Sequence, residues 1–227
     1  MKKTTSLACL DASTLKLIAV IAMVLDHVGM LLFPHISILR IIGRITLPIM
    51  AFFIGEGFRY TRDVKRYMLR LLLFAILTMY PFYLCFGWTQ NVLFTLLLGL
   101  IAIYLVDNGC NEWVAVISMC AVSLFLMTDW MIFAVILVYG FYKADGNPKY
   151  IFLTWLGSAA LFYGALTAYG FFDNFAALRL YAFELFTGLA MPLIFMYNGK
   201  RGFRAKYFFY LAYPLNFLVI YAILKLL

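Results

Sequence analysis

The sequence predicts an all-α, polytopic integral membrane protein, and three observations predict it. Hydrophobic residues make up 66% of the 227-residue chain and charged residues only 12%, where a soluble domain is roughly 45–50% apolar and about a quarter charged. A soluble fold of this length has no interior large enough to hide that much apolar surface, and a disordered chain needs a low hydrophobicity that this one lacks. The apolar residues also fall into runs close to the ~20 residues that cross a bilayer, with most basic residues gathered between them. Residues 1–227 therefore read as a single transmembrane helical domain of about nine spans, with eight or ten as the neighbouring counts.

The first run, 14–33, carries Asp26 and His27 inside it. Lys2 and Lys3 lead into Thr4, Thr5 and Ser6 rather than an apolar stretch, so the run reads as a retained helix and not a cleavable signal. The second, 39–58, opens on Arg40 and Arg44 and closes on Glu56; the third, 67–86, follows a basic loop. The fourth to sixth, 91–106, 112–127 and 129–142, are short for a full crossing. Tilt or local thinning of the bilayer accommodates them, or one of them is re-entrant. Gly146-Asn147-Pro148 turns the chain into the seventh run, 149–170, and Asn198-Gly199 ends the eighth, 180–197. The ninth is 207–226. No internal repeat, low-complexity tract or long polar linker interrupts the series.

Lys and Arg in short loops set the orientation. Arg59, Arg62, Lys65, Arg66 and Arg70 follow the second run, Lys200, Arg201, Arg204 and Lys206 precede the last, and Lys2, Lys3 and Lys16 flank the first. An even number of spans separates the two loops, so both lie with the N-terminus in the cytoplasm and the C-terminus lies outside. The turns near Gly87 and Asp129 carry no basic residue and fall opposite; the acidic segment from Asp107 to Glu112 is inside by parity. The net charge of +8 thus reads as topology and contact with anionic lipid headgroups, not as a nucleic-acid surface. Cys9, Cys85, Cys110 and Cys120 form no CxxC pair and have no His-rich partner set, so they read as free thiols, and no metal site is expected.

Ionisable residues inside spans are expensive and raise a functional hypothesis. Asp26-His27 lies near or just beyond mid-membrane, and an imidazole there can serve as general base beside a carboxylate that orients it. Adjacent helical residues point ~100° apart, so Asp26 alternatively pairs with a basic group on another helix, which makes the pair a packing device. Arg40 and Arg44, four apart on one face, can neutralise Asp26 or bind an anionic group, and Glu56 completes that constellation. Arg62, Arg66 and Arg70 form a ladder at i, i+4 and i+8, with Arg59 and Lys65 beside it. The ladder suits the phosphates of a nucleotide-bearing acyl donor such as coenzyme A, although such a stripe is more commonly a solvated topology loop on lipid headgroups. Glu56–Arg59 and Arg59–Asp63 pairing along one helix favours the second for part of it. Asn91 with Thr95, Glu184 and Asn216 are the polar residues of later spans, and inter-helix hydrogen bonding accounts for Asn91 and Thr95. His35, after Pro34, reads as interfacial. No phosphate-binding Gly-rich loop, Ser–His–Asp order or zinc spacing is present.

Leu17-Ile18-Ala19 with Met23-Val24-Leu25-Asp26-His27-Val28-Gly29 resembles the opening of the TraX family of membrane proteins. The likeness runs on through Arg40-Ile41-Ile42-Gly43-Arg44, Pro48-Ile49-Met50-Ala51-Phe52 and Glu56-Gly57-Phe58-Arg59-Tyr60-Thr61-Arg62. It continues through Tyr67, Arg70, Tyr80-Pro81-Phe82, Asn91-Val92-Leu93-Phe94-Thr95-Leu96 and Gly99, and returns at Phe208-Phe209-Tyr210 and Tyr213-Pro214-Leu215. The residues from about 107 to 180 are only generically hydrophobic. One departure is Asn216, where the family pattern tends to have a histidine after Tyr-Pro-x.

The resemblance implies a membrane acetyltransferase of the bacterial inner or cytoplasmic membrane, like the family member that acetylates the pilin amino terminus, and more distantly like transmembrane acyltransferases. On that analogy acetyl-CoA is the acyl donor and the acceptor is an amine or hydroxyl of a membrane-proximal, pilin-like protein, peptide or glycan. His27 would deprotonate the acceptor with Asp26 orienting it. Arg40 or Arg44 would stabilise charge, with Glu56, Asn91 and Asn216 as further polar groups of the site, and Arg59, Arg62, Arg66 and Arg70 would hold the donor phosphates. The rival reading is a small proton- or ion-coupled transporter using Asp26, His27 and Arg44 as a relay; the lack of an evident inverted repeat tilts against it. A structural scaffold, with Asp26 and His27 merely packed, is the third reading.

Overall fold

A computed structural model describes residues 8–87, 90–168, 183–203 and 205–226. The charges at Lys2, Lys3 and Arg204, and the expected span ends at 169–170 and 180–182, lie outside the described residues. The described chain consists of helices and turns, apart from isolated bridges of Leu10 with Tyr197 and Gln90 with Thr128. The helices are α1 (Ala12–Leu31), α2 (Ser37–Gly43), α3 (Thr46–Tyr60), α4 (Val64–Phe86), α5 (Val92–Asp107), α6 (Glu112–Phe125), α7 (Met131–Ala144) and α8 (Pro148–Ala168). A 3₁₀ segment (Phe183–Leu189) then runs into α9 (Ala190–Phe195), and α10 (Lys206–Leu226) follows.

Among the described residues, α1, the α2–α3 pair, α4 and most of α10 are long and apolar enough to cross a membrane. α5, α6, α7 and the Phe183–Phe195 stretch are shorter apolar helices. These four, with the 21-residue α8 and the shorter apolar helices between them, fit a membrane protein and do not fix the count of nine spans.

Two of the expected spans are broken, and proline accounts for both. The run at 39–58 divides at Arg44-Ile45, where the backbone tightens: the Arg44 N–H reaches the Arg40 and Ile41 carbonyls at 3.2 and 3.3 Å. Pro48, in the first turn of α3, has no N–H to give the Arg44 carbonyl. The run at 180–197 is a 3₁₀ segment followed by a short helix around Pro192, whose missing N–H leaves the Gly188 carbonyl without its helical donor.

α3 is buried almost all round, from Leu47 through Phe58, as are the Thr95–Leu100 part of α5 and most of α7. A helix that is apolar on every side belongs inside a bundle. These three pack on one another with small residues at the crossings: a Cβ at Gly55 would press on Tyr142, and one at Gly99 on Val138. α1 lies against α3 and α4 against α5, and α10 packs on both α1 and α4, with exposed Leu, Ile and Phe on their outer faces.

Helix ends sort into two groups, as a serpentine of antiparallel helices requires. At the basic end, Arg59 of α3 pairs with Asp145 after α7 at 2.7 Å, and Lys143 pairs with Glu112 of α6 at 3.0 Å. There too the Ser13 hydroxyl donates to the carbonyls of Arg201 and Phe203 at 2.8 and 2.7 Å. Asp11 caps α1 by accepting the Thr14 N–H at 2.8 Å, which holds its carboxyl below the usual carboxylate range. At the other end lie the α1–α2 turn, the α6–α7 turn and the 3₁₀ segment.

The α1–α2 approach is close because two glycines allow it. A Cβ at Gly43 would run into the Asp26 side chain, and one at Gly29 into Leu39. Gly43→Ala is therefore expected to cost ~1–3 kcal/mol by overpacking and to lower the thermal midpoint of the detergent-solubilised protein. Gly157→Ala, where an added Cβ meets nothing within 4 Å, should leave the midpoint level or raise it slightly.

Candidate active site

α1 presents Ser13, Lys16, Val20, Met23, His27 and Met30 to one cavity, at alternating spacings of three and four residues. The cavity has a volume of about 970 Å³. Lys16, Thr61, Tyr67, Arg70 and Arg201 line it toward the basic end, and Val20, Met23, Met50, Phe53 and Leu96 form an apolar middle. At the far end its wall is Asp26, His27, Arg40, Arg44, Asp129 and Glu184.

Asp26 stands beside His27 in sequence but turns toward α2. Its Oδ1 accepts the Nε of Arg40 at 2.9 Å, and both oxygens accept Nη2 of Arg44, each at 2.9 Å. Gly43 makes that approach possible, and the helix break after it aims Arg44 inward. The other side of the same guanidinium, Nη1, donates to Glu184 Oε1 and Oε2 at 3.0 and 3.2 Å. Arg44 also lies 5.2 Å from the centre of the Trp130 ring, and Arg40 5.6 Å from that of Phe183. One fully charged arginine, 5% exposed, thus ties α1, the 3₁₀ segment and the α6–α7 turn together.

That turn is built at a backbone cost. Met127, Trp130 and Met131 adopt φ of 50°, 64° and 37°, which L-residues with side chains rarely do. It is held by the Asp129 N–H on the Gln90 carbonyl at 2.8 Å, by the Thr95 hydroxyl on the Asp129 carbonyl, and by a Ser123–Thr128 hydroxyl contact of 2.6 Å. The result puts the Asp129 carboxylate on the cavity wall, where it forms no ion pair with the described residues.

His27 is enclosed by aromatic rings, with centroids of Phe217, Phe86 and Tyr213 at 4.5, 6.1 and 6.2 Å. Its Nδ1 meets the side-chain amide of Asn216 on α10, with Nδ2 placed 2.5 Å away. The hydrogen bonds of Asp26 go to the two arginines, and the side chain that meets the imidazole at Nδ1 is Asn216.

The other sequence candidates disperse. Arg59 is bound to Glu56 at 3.2 Å, to Asp145 and to the Tyr142 carbonyl, and neither Arg59 nor Glu56 is on the cavity wall. Arg62 and Arg66 are exposed, and Arg66 pairs with Asp63 at 3.0 Å. Of the ladder, Arg70 alone lines the cavity, and its Nε is buried without a hydrogen-bond partner among the described residues. Asn91 caps α5 and donates to the Ala75 carbonyl at 2.9 Å, joining α5 to α4.

Sequence reasoning missed Lys16, Arg201 and Asp129 as cavity residues, and noted Glu184 without a role. Lys16 was within reach: eleven residues at 100° each return to within about 20° of the same helix face, so Lys16 and His27 share it. The others had no local signal.

Residues 11–224 match the family model described as TraX protein. A probable fimbrial assembly protein FimC, serogroup H1, of Dichelobacter nodosus is 33% identical over 91% of this chain and 92% of that protein. An uncharacterized protein of Rickettsia prowazekii (strain Madrid E) is 37% identical over 44% of this chain and 39% of that protein. No solved structure matches.

Because Arg44 neutralises two carboxylates away from water, Arg44→Ala is expected to destabilise the protein by ~3–5 kcal/mol, read as denaturant unfolding in detergent. Arg44→Lys should recover little of this, since an ammonium cannot serve Asp26 and Glu184 at once with a planar fork. Arg66→Ala, which removes an exposed pair, should change stability hardly at all.

Proposed function

The chain belongs to the TraX family, and on that premise we propose that it is a membrane-embedded acetyltransferase using acetyl-CoA as donor substrate. The acceptor is an amine or hydroxyl of a membrane-proximal protein, peptide or glycan. The observation that carries the reading is the single cavity that joins a basic entrance to His27. Lys16 and His27 are eleven residues apart on one helix, about 16 Å at 1.5 Å per residue, which suits the length of a pantetheine arm. Lys16, Arg70 and Arg201 supply cations for phosphate at the entrance, and the middle is apolar. With the basic end in the cytoplasm, as the loop charges favour, the entrance faces the compartment that holds acyl-CoA, and the membrane is the bacterial inner or cytoplasmic one.

At the far end the acceptor nitrogen or oxygen attacks the thioester carbonyl carbon while His27 takes its proton. The C–S bond then breaks, the new C–N or C–O bond remains, and the sulfur leaves with the proton returned from the imidazolium. Arg40 and Arg44 hold the Asp26 and Glu184 side chains in place around that point. With both carboxylates matched by the two guanidiniums, the Asp129 carboxyl on the wall favours an amine acceptor over a hydroxyl: the amine docks as its ammonium, releases one proton to water, and attacks as the neutral base. The fimbrial assembly role named for the Dichelobacter relative fits a surface-protein acceptor.

A second reading has one observation in its favour. The cavity wall includes residues near both faces, from Ser13 and Arg201 to Met30 and Thr128, as a proton- or ion-coupled transporter needs. It predicts that His27→Ala abolishes pH-driven flux in liposomes.

The enzyme reading predicts saturable binding of acetyl-CoA to the purified protein. Lys16→Ala, Arg70→Ala and Arg201→Ala should each weaken it by about tenfold, the loss of one charge-assisted contact. Arg62→Ala and Arg66→Ala should stay within twofold of the parent, and His27→Ala should bind donor but transfer nothing. Absence of saturable binding, or equal losses at all five basic positions, sinks the reading.

A further inference from the structure

His27 has two ring nitrogens, and a base at one of them requires the proton to be on the other. In a histidine–carboxylate pair the carboxylate fixes this, yet here Asp26 is spent. Its two oxygens are engaged by two guanidinium nitrogens, Nε of Arg40 and Nη2 of Arg44, and residues adjacent on a helix do not face each other. The group that meets Nδ1 is the amide of Asn216, 8% exposed, brought there from α10 across the α1–α10 contact. Phe217, Phe86 and Tyr213 close around the imidazole, so no bulk water competes for that nitrogen.

We infer that Asn216 is the positioning residue of His27: its amide oxygen accepts the Nδ1 proton and leaves the Nε2 lone pair for the cavity. Oxygen and nitrogen of a side-chain amide exchange places by a half-turn that changes no shape. Only the setting with oxygen on Nδ1 leaves a base at Nε2; the opposite setting, with Nδ2–H donating to Nδ1, makes Nε2–H a donor instead. The inference rests on the acetyltransferase reading for its consequence in catalysis, but the pairing itself does not.

The charged and titratable groups around the imidazole are few: Asp26 on α1, Arg40 and Arg44 from α2 and its end, and Asp129 in the α6–α7 turn. Glu184 in the 3₁₀ segment, Cys85 on α4 and Tyr213 on α10 complete the set. Asp26 and Glu184 are matched by the two arginines. A carboxylate introduced at 216 is therefore the strongest new perturbation that the imidazole can receive from α10.

The chain contains two histidines, so His35→Gln leaves His27 as the sole source of an imidazole signal. In histidine-¹⁵N-labelled protein of that background, in detergent or nanodiscs above the imidazole's titration, the proton should reside on Nδ1. Asn216→Leu should shift population to the Nε2-protonated form. A wild-type proton on Nε2, or a spectrum indifferent to Asn216→Leu, overturns the inference whatever the protein catalyses.

In acetyl transfer, Asn216→Leu should lower kcat by about 10²-fold or more with KM for acetyl-CoA within twofold. Asn216→Asp should keep turnover and move the acid limb of the kcat–pH profile upward by about one pH unit or more, because an anion on Nδ1–H raises the basicity of Nε2. A normal kcat in Asn216→Leu, or an unmoved limb in Asn216→Asp, also overturns it. If the spectrum has the proton on Nδ1 under Asn216 control while the parent transfers no acetyl group, the enzyme reading falls and the pairing stands.

Discussion

The far end of this bundle is organised by one requirement: a guanidinium taken out of water must be surrounded by carboxylate. Arg44 cannot shed its charge, and an unpaired ion in such a place costs several kcal/mol. Asp26 and Glu184, 140 residues apart from Arg44 in the second case, meet that requirement from two sides, and the Trp130 ring from a third. The close α1–α2 crossing at Gly43, the helix break before α3 and the placing of the 3₁₀ segment all serve that contact. His27 inherits its position from it, because the side of α1 that is left for the cavity is the side that Asp26 does not use.

Charge along the cavity is divided in a way that a bilayer rewards. Cations stand at the basic entrance, where headgroups and water reduce their cost. The middle, formed by Val20, Met23, Met50, Phe53 and Leu96, carries no charge. At the far end every arginine is matched and a carboxylate is left over. An anionic ligand is therefore favoured at the entrance and disfavoured at the far end, while a cationic one meets the reverse. A substrate with an anionic head and a neutral reactive tip fits that gradient in one direction only.

Much of this was legible from local pattern. The membrane class and the short fourth to sixth helices follow from apolar run length, and the place of Asp26 and His27 inside the first helix follows from the same runs. Helical geometry already offered an arginine as partner for Asp26, since neighbours on a helix diverge. What pattern could not supply was tertiary. Glu184 reaches Arg44 only because Pro192 breaks the stretch around it, and Asp129 resembled a plain turn residue on the non-basic side. The Arg62–Arg66–Arg70 spacing correctly puts three residues on one face, but it does not reveal that this face leaves water partway along, so that Arg70 alone reaches the cavity. Pro48 was in plain view as a helix breaker; the apolar run across it hid the split.

The α6–α7 turn carries a backbone cost at the far end of the cavity. Left-handed backbone at a residue with a side chain costs of order 1–3 kcal/mol, and Met127, Trp130 and Met131 all adopt it. Elsewhere positive φ falls on Gly87, Gly109, Gly146, Gly199 and Gly202 and on Asp145, a residue type that tolerates it better than Met or Trp. What the strain achieves is specific: it points the Trp130 ring at Arg44 and the Asp129 carboxylate into the cavity. Removing Asp129 from the wall would spare the burial of one carboxylate and cost no ion pair among the described residues. A scaffold would gain by that exchange, whereas a site that must receive a cationic group would lose its surplus charge. The cost is sustained by the continuous apolar packing of α3, α5 and α7, which holds the bundle together without help from the site.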